Sequence, residues 1–186
     1  MNTNFLPVLP DGSKILSFTG RLILEKGIPE AIEAVKLCNT KYGHPEIHLM
    51  VAGDGPLINE CISCKTANIH LLGKLSFEQI VSLLSNSISL LLPSSYSEGF
   101  PTSVLEAVAC RTYVIMTPVS GAKEILPDDS YGTVTQKRPS ADDIAKEMLD
   151  ILYDDKRRME ATEKAYKRLV DNFTWKNTAD KLLELL

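Results

Sequence analysis

The chain has 186 residues, 44% of them hydrophobic and 24% charged, which favours one domain burying roughly 70% of its unfolded surface around a single core and argues against a disordered or membrane chain. A formal net charge of −4 argues against nucleic-acid binding by bulk electrostatics. No stretch approaches the ~18 consecutive apolar residues of a membrane span, and MNTNFLPVLPDGS lacks the pattern of a signal peptide, so a cytoplasmic location is expected.

Residues 1–13, with Pro7, Pro10 and Gly12, read as a linker or extended entry segment, and the folded domain is expected over 14–186. KILSFTG is a short apolar run closed by glycine. In IPEAIEAVKLCNTKYG, Ile28, Ala31, Ile32, Val35 and Leu37 recur near helical spacing. EIHLMVAGDGP is a second apolar run ending in glycines; a helical LINECISCKTA and a brief strand-like NIHLLG follow. SFEQIVSLLSN starts at a plausible Ser76 N-cap with Gln79 three residues on, a capping-box pattern. SISLLLPSS has the unbroken apolarity of a strand covered on both faces. A helix from Pro101, the strand-like YVIMT, a short helix over 122–126 and YGTVT continue the alternation, and from Ser140 onward helical patterns with charged outer faces run to the end. About six short strands alternating with helices predict an α/β fold: a Rossmann-like, doubly wound parallel sheet with helices on both faces and C-terminal helices.

Cys38, Cys61, Cys64 and Cys110 are too sparse for a disulfide scaffold. Cys61 and Cys64 form one C-x-x-C with no second cluster, which is read as helix packing, and no metal site is expected. His48 and His70 fall inside predicted strands and His44 on a turn, so structural roles are expected for all three.

In such a sheet, ligands bind outside the carboxyl ends of the strands. TGRLILEKG, AGDGP, LGKLS and PSSYSEGFP each follow a predicted strand and should form one crevice. The first supplies Gly20, Arg21, Lys26 and Gly27; a planar fork of donors beside a compact point charge suits a diphosphate, although a solvated charged loop has the same composition. Gly53 and Gly55 let backbone approach a ligand closely, but Ile58 stands where a dinucleotide fingerprint needs its third glycine, which disfavours a nicotinamide or flavin domain. In SEGFPTSVLEA, Pro101 suits the first position of a helix, and the amides of Thr102, Ser103 and Val104 are expected to face an anion. Glu98 lies before that helix and Glu106 about a turn deeper, where a carboxylate can accept two hydroxyl hydrogen bonds, as from a ribose. Acids flanking an anion site fit a ligand with hydroxyls on both sides of its phosphates.

EGFPTSVLEAVA, preceded by LLLPSSYS and followed by VIMTPVSGAKEIL, resembles the E-x7-E region of the family 4, or group 1, retaining glycosyltransferases. GRLILEKG, VAGDGP and HLLG match that family's earlier blocks in the same order. The resemblance covers Lys14 to Leu186 and implies the C-terminal, nucleotide-sugar-binding half of a GT-B transferase. It implies that Arg21 and Lys26 bind the donor diphosphate and stabilise the leaving nucleotide, and that Glu98 contacts sugar hydroxyls as the third catalytic residue. By the same resemblance, backbone around Gly99, Phe100, Pro101 and Thr102 holds sugar and phosphate, Glu106 takes the ribose hydroxyls, and Leu72, Gly73 and Lys74 lie by the base. The donor is a UDP- or GDP-type nucleotide sugar treated as substrate, with no cofactor and no metal, and polysaccharide synthesis follows by family analogy.

The sequence departs from that family at Arg111 and Tyr113, where a glycine and a proline are usual. These are read as a tolerated turn variation at the end of the strands away from the crevice. Ser120 replaces the first of a usual glycine pair, a milder change. The family's acceptor-binding domain would precede Met1, so a partner domain is expected in cis or in trans, and any peripheral membrane association would come through that half. The chain alone is expected to be inactive. The alternative is a non-catalytic nucleotide-sugar-binding or partner subunit of a split transferase.

Overall fold

The computed structural model describes residues 5–95, 101–119, 121–177 and Leu183. Among them, strands β1 (Lys14–Thr19), β2 (Ile47–Ala52), β3 (Ile69–Gly73), β4 (Ser89–Leu92), β5 (Tyr113–Met116) and β6 (Thr133–Val134) form a sheet in the order β3-β2-β1-β4-β5-β6. Every pairing is parallel. The helices between and after them are α1 (Ile28–Thr40), α2 (Ile58–Ser63), α3 (Phe77–Ser85), α4 (Thr102–Ala109), α5 (Ala122–Ile125), α6 (Ala141–Leu152) and α7 (Asp155–Asn172). This is the doubly wound order expected from the sequence, with the strand order reversing between β1 and β4.

Strand apolarity is continuous because both faces are covered. In β4, Leu91 belongs to the core beneath α1 and α6, together with Leu16, Phe18, Leu49 and Ile115. Its neighbours Leu90 and Leu92 belong to the opposite core, with Val104 and Ala107 of α4 and Ala165 of α7. Successive side chains point to opposite faces of a strand, so a strand buried on both faces reads as a near-continuous apolar run. Each such side chain contributes about 1.5–3 kcal/mol on burial. Exposed ion pairs contribute about 0–1 kcal/mol, so the sheet core, and not the charged helix faces, carries the stability. A third cluster, Met50, Ala52 and Leu83, receives Phe5, Leu6 and Leu9 from the entry segment.

Helix starts follow from local chemistry. Ser76 Oγ accepts the Gln79 N–H (3.3 Å) and Gln79 Oε1 accepts the Ser76 N–H (2.8 Å), the capping box expected from the sequence. Ser140 and Asp143 form another at the start of α6. α4 begins at Thr102, with Pro101 as its N-cap in extended conformation (φ −73°, ψ 99°), one residue later than the sequence pattern indicates. Its other end explains the departure at position 111. The Arg111 N–H reaches Val108 O (3.1 Å) and the Thr112 N–H reaches Ala107 O (2.9 Å), a Schellman arrangement that puts Arg111 in the left-handed region at φ 56°. Glycine takes that seat freely, whereas another residue costs about 1–2 kcal/mol. Arg111 offsets part of the cost by pairing with Glu163 (2.9 Å) and stacking over Tyr166 (3.8 Å to the ring centroid), both on α7. Tyr113 is buried at the start of β5, its hydroxyl 3.0 Å from Thr133 Oγ1 on the edge strand. Both residues lie at the amino ends of the strands, away from the crevice. Ser120 lies outside the described residues.

Cys61 is buried in α2 while Cys64, its C-cap, is exposed, so packing accounts for the first cysteine of the pair alone. Among the described residues no group of three or more side chains is placed to hold a metal, and no helix is long and apolar enough to cross a membrane.

His48 on β2 and His70 on β3 meet across the strands, with Nδ1 to Nε2 at 3.1 Å. Burial lowers the pKa of both, and the charges of His48 and Lys65 lower that of His70 further. An unfolded histidine ionises near pH 6.5, so below about that pH the unfolded chain binds more protons than the folded one. The pair's contribution is therefore complete above the unfolded value and is lost as pH falls through the folded ones. Melting curves recorded between about pH 7 and about pH 5 should show stability falling with pH, and His70→Gln should flatten that dependence. An unaltered slope in the variant would contradict the assignment.

Candidate functional site

The strand ladder continues into the loops at the carboxyl edge of the sheet. The Gly20 N–H donates to Ala52 O (3.0 Å), Gly53 N–H to Gly73 O (2.8 Å), Leu22 N–H to Asp54 O (2.9 Å) and Leu57 N–H to Leu22 O (3.1 Å). Leu22, fully buried, anchors the first loop in the core and leaves Arg21 beside it exposed. The second loop approaches so closely that a Cβ on Gly53 would lie 1.8 Å from Gly20 O, a contact only glycine permits.

The topological switch point is closed by a second set of bonds. The chain after β1 turns through a short 3-10 helix, Leu24–Lys26, whose Glu25 carbonyl accepts both Ser94 Oγ–H and Ser95 N–H, each at 2.8 Å. Gly27, at φ 75°, caps this turn and begins α1; a Cβ there would stand 2.1 Å from Pro93 O. Ser94 O in turn accepts Thr117 Oγ1 from the loop after β5 (2.5 Å). The loop that carries Arg21 and Lys26 is thus fastened to the chain that leads into α4.

A cleft of about 650 Å³ opens on this edge. Gly20, Arg21, Gly53, Gly55 and Lys74 line it, five of the positions expected from the sequence, as does Asp54, which was not among them. Leu75 and Ile80 supply its apolar wall. Asp54 is oriented by its own turn, Oδ1 accepting the Gly55 N–H (2.7 Å), and its Oδ2 faces Lys74 Nζ at 3.5 Å. Lys26, Leu72, Gly73, Pro101, Thr102 and Glu106 do not line the described part of the cleft. Lys26 ends the 3-10 turn, half-buried. Leu72 packs into the third core cluster, and the Gly73 carbonyl is used by Gly53. Glu98, Gly99 and Phe100 lie outside the described residues.

Two amides rather than three are open at the start of α4, because the Val104 N–H donates to Pro101 O (3.0 Å). Those of Thr102 and Ser103 have no partner among the described residues, and the helix dipole favours an anion there. Glu106, one turn on, is half-buried, has no hydrogen-bond or ion-pair partner among the described residues, and burial raises its pKa.

The family model "Glycosyl transferases group 1" matches residues 4–168. The chain therefore belongs to the group 1 glycosyltransferases. It is 30% identical over 158 residues to the N,N'-diacetylbacillosaminyl-diphospho-undecaprenol alpha-1,3-N-acetylgalactosaminyltransferase of Campylobacter jejuni, covering 83% of this chain and 40% of that one. The phosphatidylinositol N-acetylglucosaminyltransferase gpi3 subunit of Schizosaccharomyces pombe is 27% identical over 187 residues, covering 96% of this chain and 40% of the relative. An Anabaena crystal structure in complex with UDP-glucose superposes with a TM-score of 0.82 at 19% identity, covering 94% of this chain and 50% of that one. The chain thus spans less than half the length of these curated relatives, and its fold matches that of GT-B proteins.

An ionised, half-buried carboxylate without a partner costs folding energy. Glu106 binds its proton more tightly in the folded chain than in the unfolded one, so stability should rise as pH falls through its folded pKa toward the unfolded value. Glu106→Gln should melt at or above the wild-type temperature at neutral pH and lose that rise. A clear fall in melting temperature at neutral pH would reveal a structural partner instead.

Proposed function

We propose that this chain is the donor-binding half of a retaining glycosyltransferase that moves a sugar from a nucleoside diphosphate to an acceptor hydroxyl in polysaccharide or glycoconjugate synthesis. The observation that carries the reading is the fastening of the Arg21–Lys26 loop to the approach of α4 through Glu25, Ser94 and Ser95. It places two cations and an open helix start on the two sides of one switch point, where a diphosphate needs both neutralisation and orientation. Departure of the diphosphate is the difficult event, and fixed donors that meet charge as it develops lower that barrier without reorganising. In this reading Arg21 and Lys26 hold the leaving group, Thr102 and Ser103 contribute amides, and Glu106 takes ribose hydroxyls. Glu98 meets the sugar and backbone at 99–101 supports it. Side-chain cations fill the role a metal plays in other transferases, so the scheme needs no cofactor.

The acceptor would be presented by a preceding domain, in cis or in trans, on the cytoplasmic side, with any membrane contact made through that half. An Anabaena neighbour that holds UDP-glucose and a Campylobacter relative named as an N-acetylgalactosaminyltransferase support the donor role. The relative named as a gpi3 subunit covers nearly this whole chain and favours a second reading, in which the chain serves within a multi-subunit transferase and transfers nothing by itself.

The Arg21 side chain is exposed and without a hydrogen-bond or ion-pair partner among the described residues, so its truncation should spare folding. In the complete enzyme, Arg21→Ala should lower kcat by roughly 10²–10³, about 3–4 kcal/mol of barrier, with an unchanged melting temperature. Wild-type turnover in that variant would remove the diphosphate assignment.

A further inference from the structure

We propose that Cys61 and Cys64 form a two-coordinate site for a soft, closed-shell monovalent cation, the class of Cu(I) and Ag(I), in a cavity between α1 and α2. The cavity measures about 380 Å³ and shares no lining residue with the cleft at the carboxyl edge, so the site is independent of the nucleotide-sugar reading. Both cysteines of the C-x-x-C line it, and both are free thiols. Cys38 and Cys110 turn their thiols to backbone carbonyls, Ala145 O at 3.8 Å and Val81 O at 3.9 Å. Cys61, buried, and Cys64, exposed, have no such acceptor among the described residues and border one cavity instead.

Helix geometry fixes how the two sulfurs can meet. Cys64 caps α2 with its N–H on Glu60 O (2.9 Å), so it keeps helical spacing from Cys61, whose own N–H lies on Leu57 O (2.9 Å). Helix neighbours three apart have Cβ atoms about 5–6 Å from each other. A disulfide needs about 3.5–4.5 Å, so oxidation would require the backbone to move. A cation held between two thiolates asks for less. At about 2.3 Å per metal–sulfur bond, the sulfurs stand roughly 4.6 Å apart in line, a span that side chains on adjacent turns can reach.

The surroundings select the kind of cation. Leu24, Pro29, Ile32 and Leu57 make the walls apolar, and thiolates favour soft cations. Zinc takes four ligands, and among the described residues no three His, Cys, Asp or Glu side chains are placed to hold a metal together. Burial raises the pKa of Cys61, and the charges of Cys64 and Glu60 raise it further, so the metal-free thiol stays protonated near neutral pH and is a poor nucleophile. A soft cation displaces that proton. Loading exchanges two S–H bonds for two S–metal bonds and releases two protons, which leaves one net negative charge on the complex. Lys36 lines the same cavity, its ion pair with Glu33 long at 3.9 Å, and supplies the balancing positive charge. Glu33 and Glu60 also border the cavity, but both are exposed, where water and salt screen them.

Anaerobic titration of Cu(I), delivered from a competing chelator, into the reduced chain tests the proposal. One equivalent should bind, with proton release, a thiolate-to-metal absorption band in the ultraviolet, and protection of Cys61 and Cys64 from alkylation read by mass spectrometry. Zn(II) should bind at least about a hundredfold more weakly. Cys64→Ser, at an exposed position, should keep the wild-type melting temperature and lower Cu(I) affinity by at least about a hundredfold, because a lone thiol forfeits the second tethered contact. Undiminished affinity in that variant would overturn the proposal, as would Zn(II) bound as tightly as Cu(I) or no binding of Cu(I) at all. Closure of a Cys61–Cys64 disulfide when the metal-free chain meets air would overturn it as well, since bonded sulfurs need Cβ atoms closer than the helix holds them.

Discussion

One backbone carbonyl, that of Glu25, holds the two halves of the site in register. It accepts a hydroxyl and an amide from consecutive serines of the chain leaving β4, and it does so where the helices on either side of the sheet diverge. Without that junction the loop bearing Arg21 and the helix start at Thr102 would belong to separate halves of the sheet, since β1 and β4 are the strands between which the winding reverses. Gly27 makes the junction possible, because its left-handed backbone and missing side chain let Pro93 approach. The same economy recurs at Gly53 against Gly20. The carboxyl edge is therefore a surface of backbone packed on backbone, and the proposed role asks of it the preorganised cations and amides that electrostatic stabilisation requires.

In the proposed reading, function falls at this edge because of the way the rest of the chain folds. Strands β2, β4 and β5 are buried along their whole length, and the helices bury their inner faces against them, so neither face of the sheet is left for chemistry. Some buried polar groups find each other, as His48 with His70 or Tyr113 with Thr133, and others bond backbone carbonyls, as Thr112 Oγ1 with Leu84 O. The loops at the strand ends escape this constraint, and the carboxyl-end loops also receive the positive ends of the helices that follow.

Much of this was legible from residue order. The runs KILSFT, IHLMVA and SLLL read as strands because parallel strands covered on both faces are predominantly apolar, and Ser76 with Gln79 announced a helix start that the structure contains. Arg21 and the glycines of the second loop could be placed because each closes a strand. What escaped was tertiary. Asp54 and Lys74 are twenty positions apart and belong to loops that only the sheet order brings together, so no spacing rule points to their pairing. The engagement of Val104 by Pro101 O depends on a first turn tighter than an α-helix, which composition does not encode. Arg111 shows the converse: a residue that looks wrong for its position is tolerated because α7, some fifty residues later, supplies Glu163 and Tyr166 to receive it.

The most direct measurement follows the backbone amides of the isotopically labelled chain by NMR as UDP is added. A shared cradle predicts that signals from 20–27, 53–55, 73–75 and 102–103 move together along one saturation curve, while the far end of the sheet around Arg111 stays still. Shifts confined to one of those loops, or centred at the amino ends of the strands, would contradict a single diphosphate site assembled across the switch point.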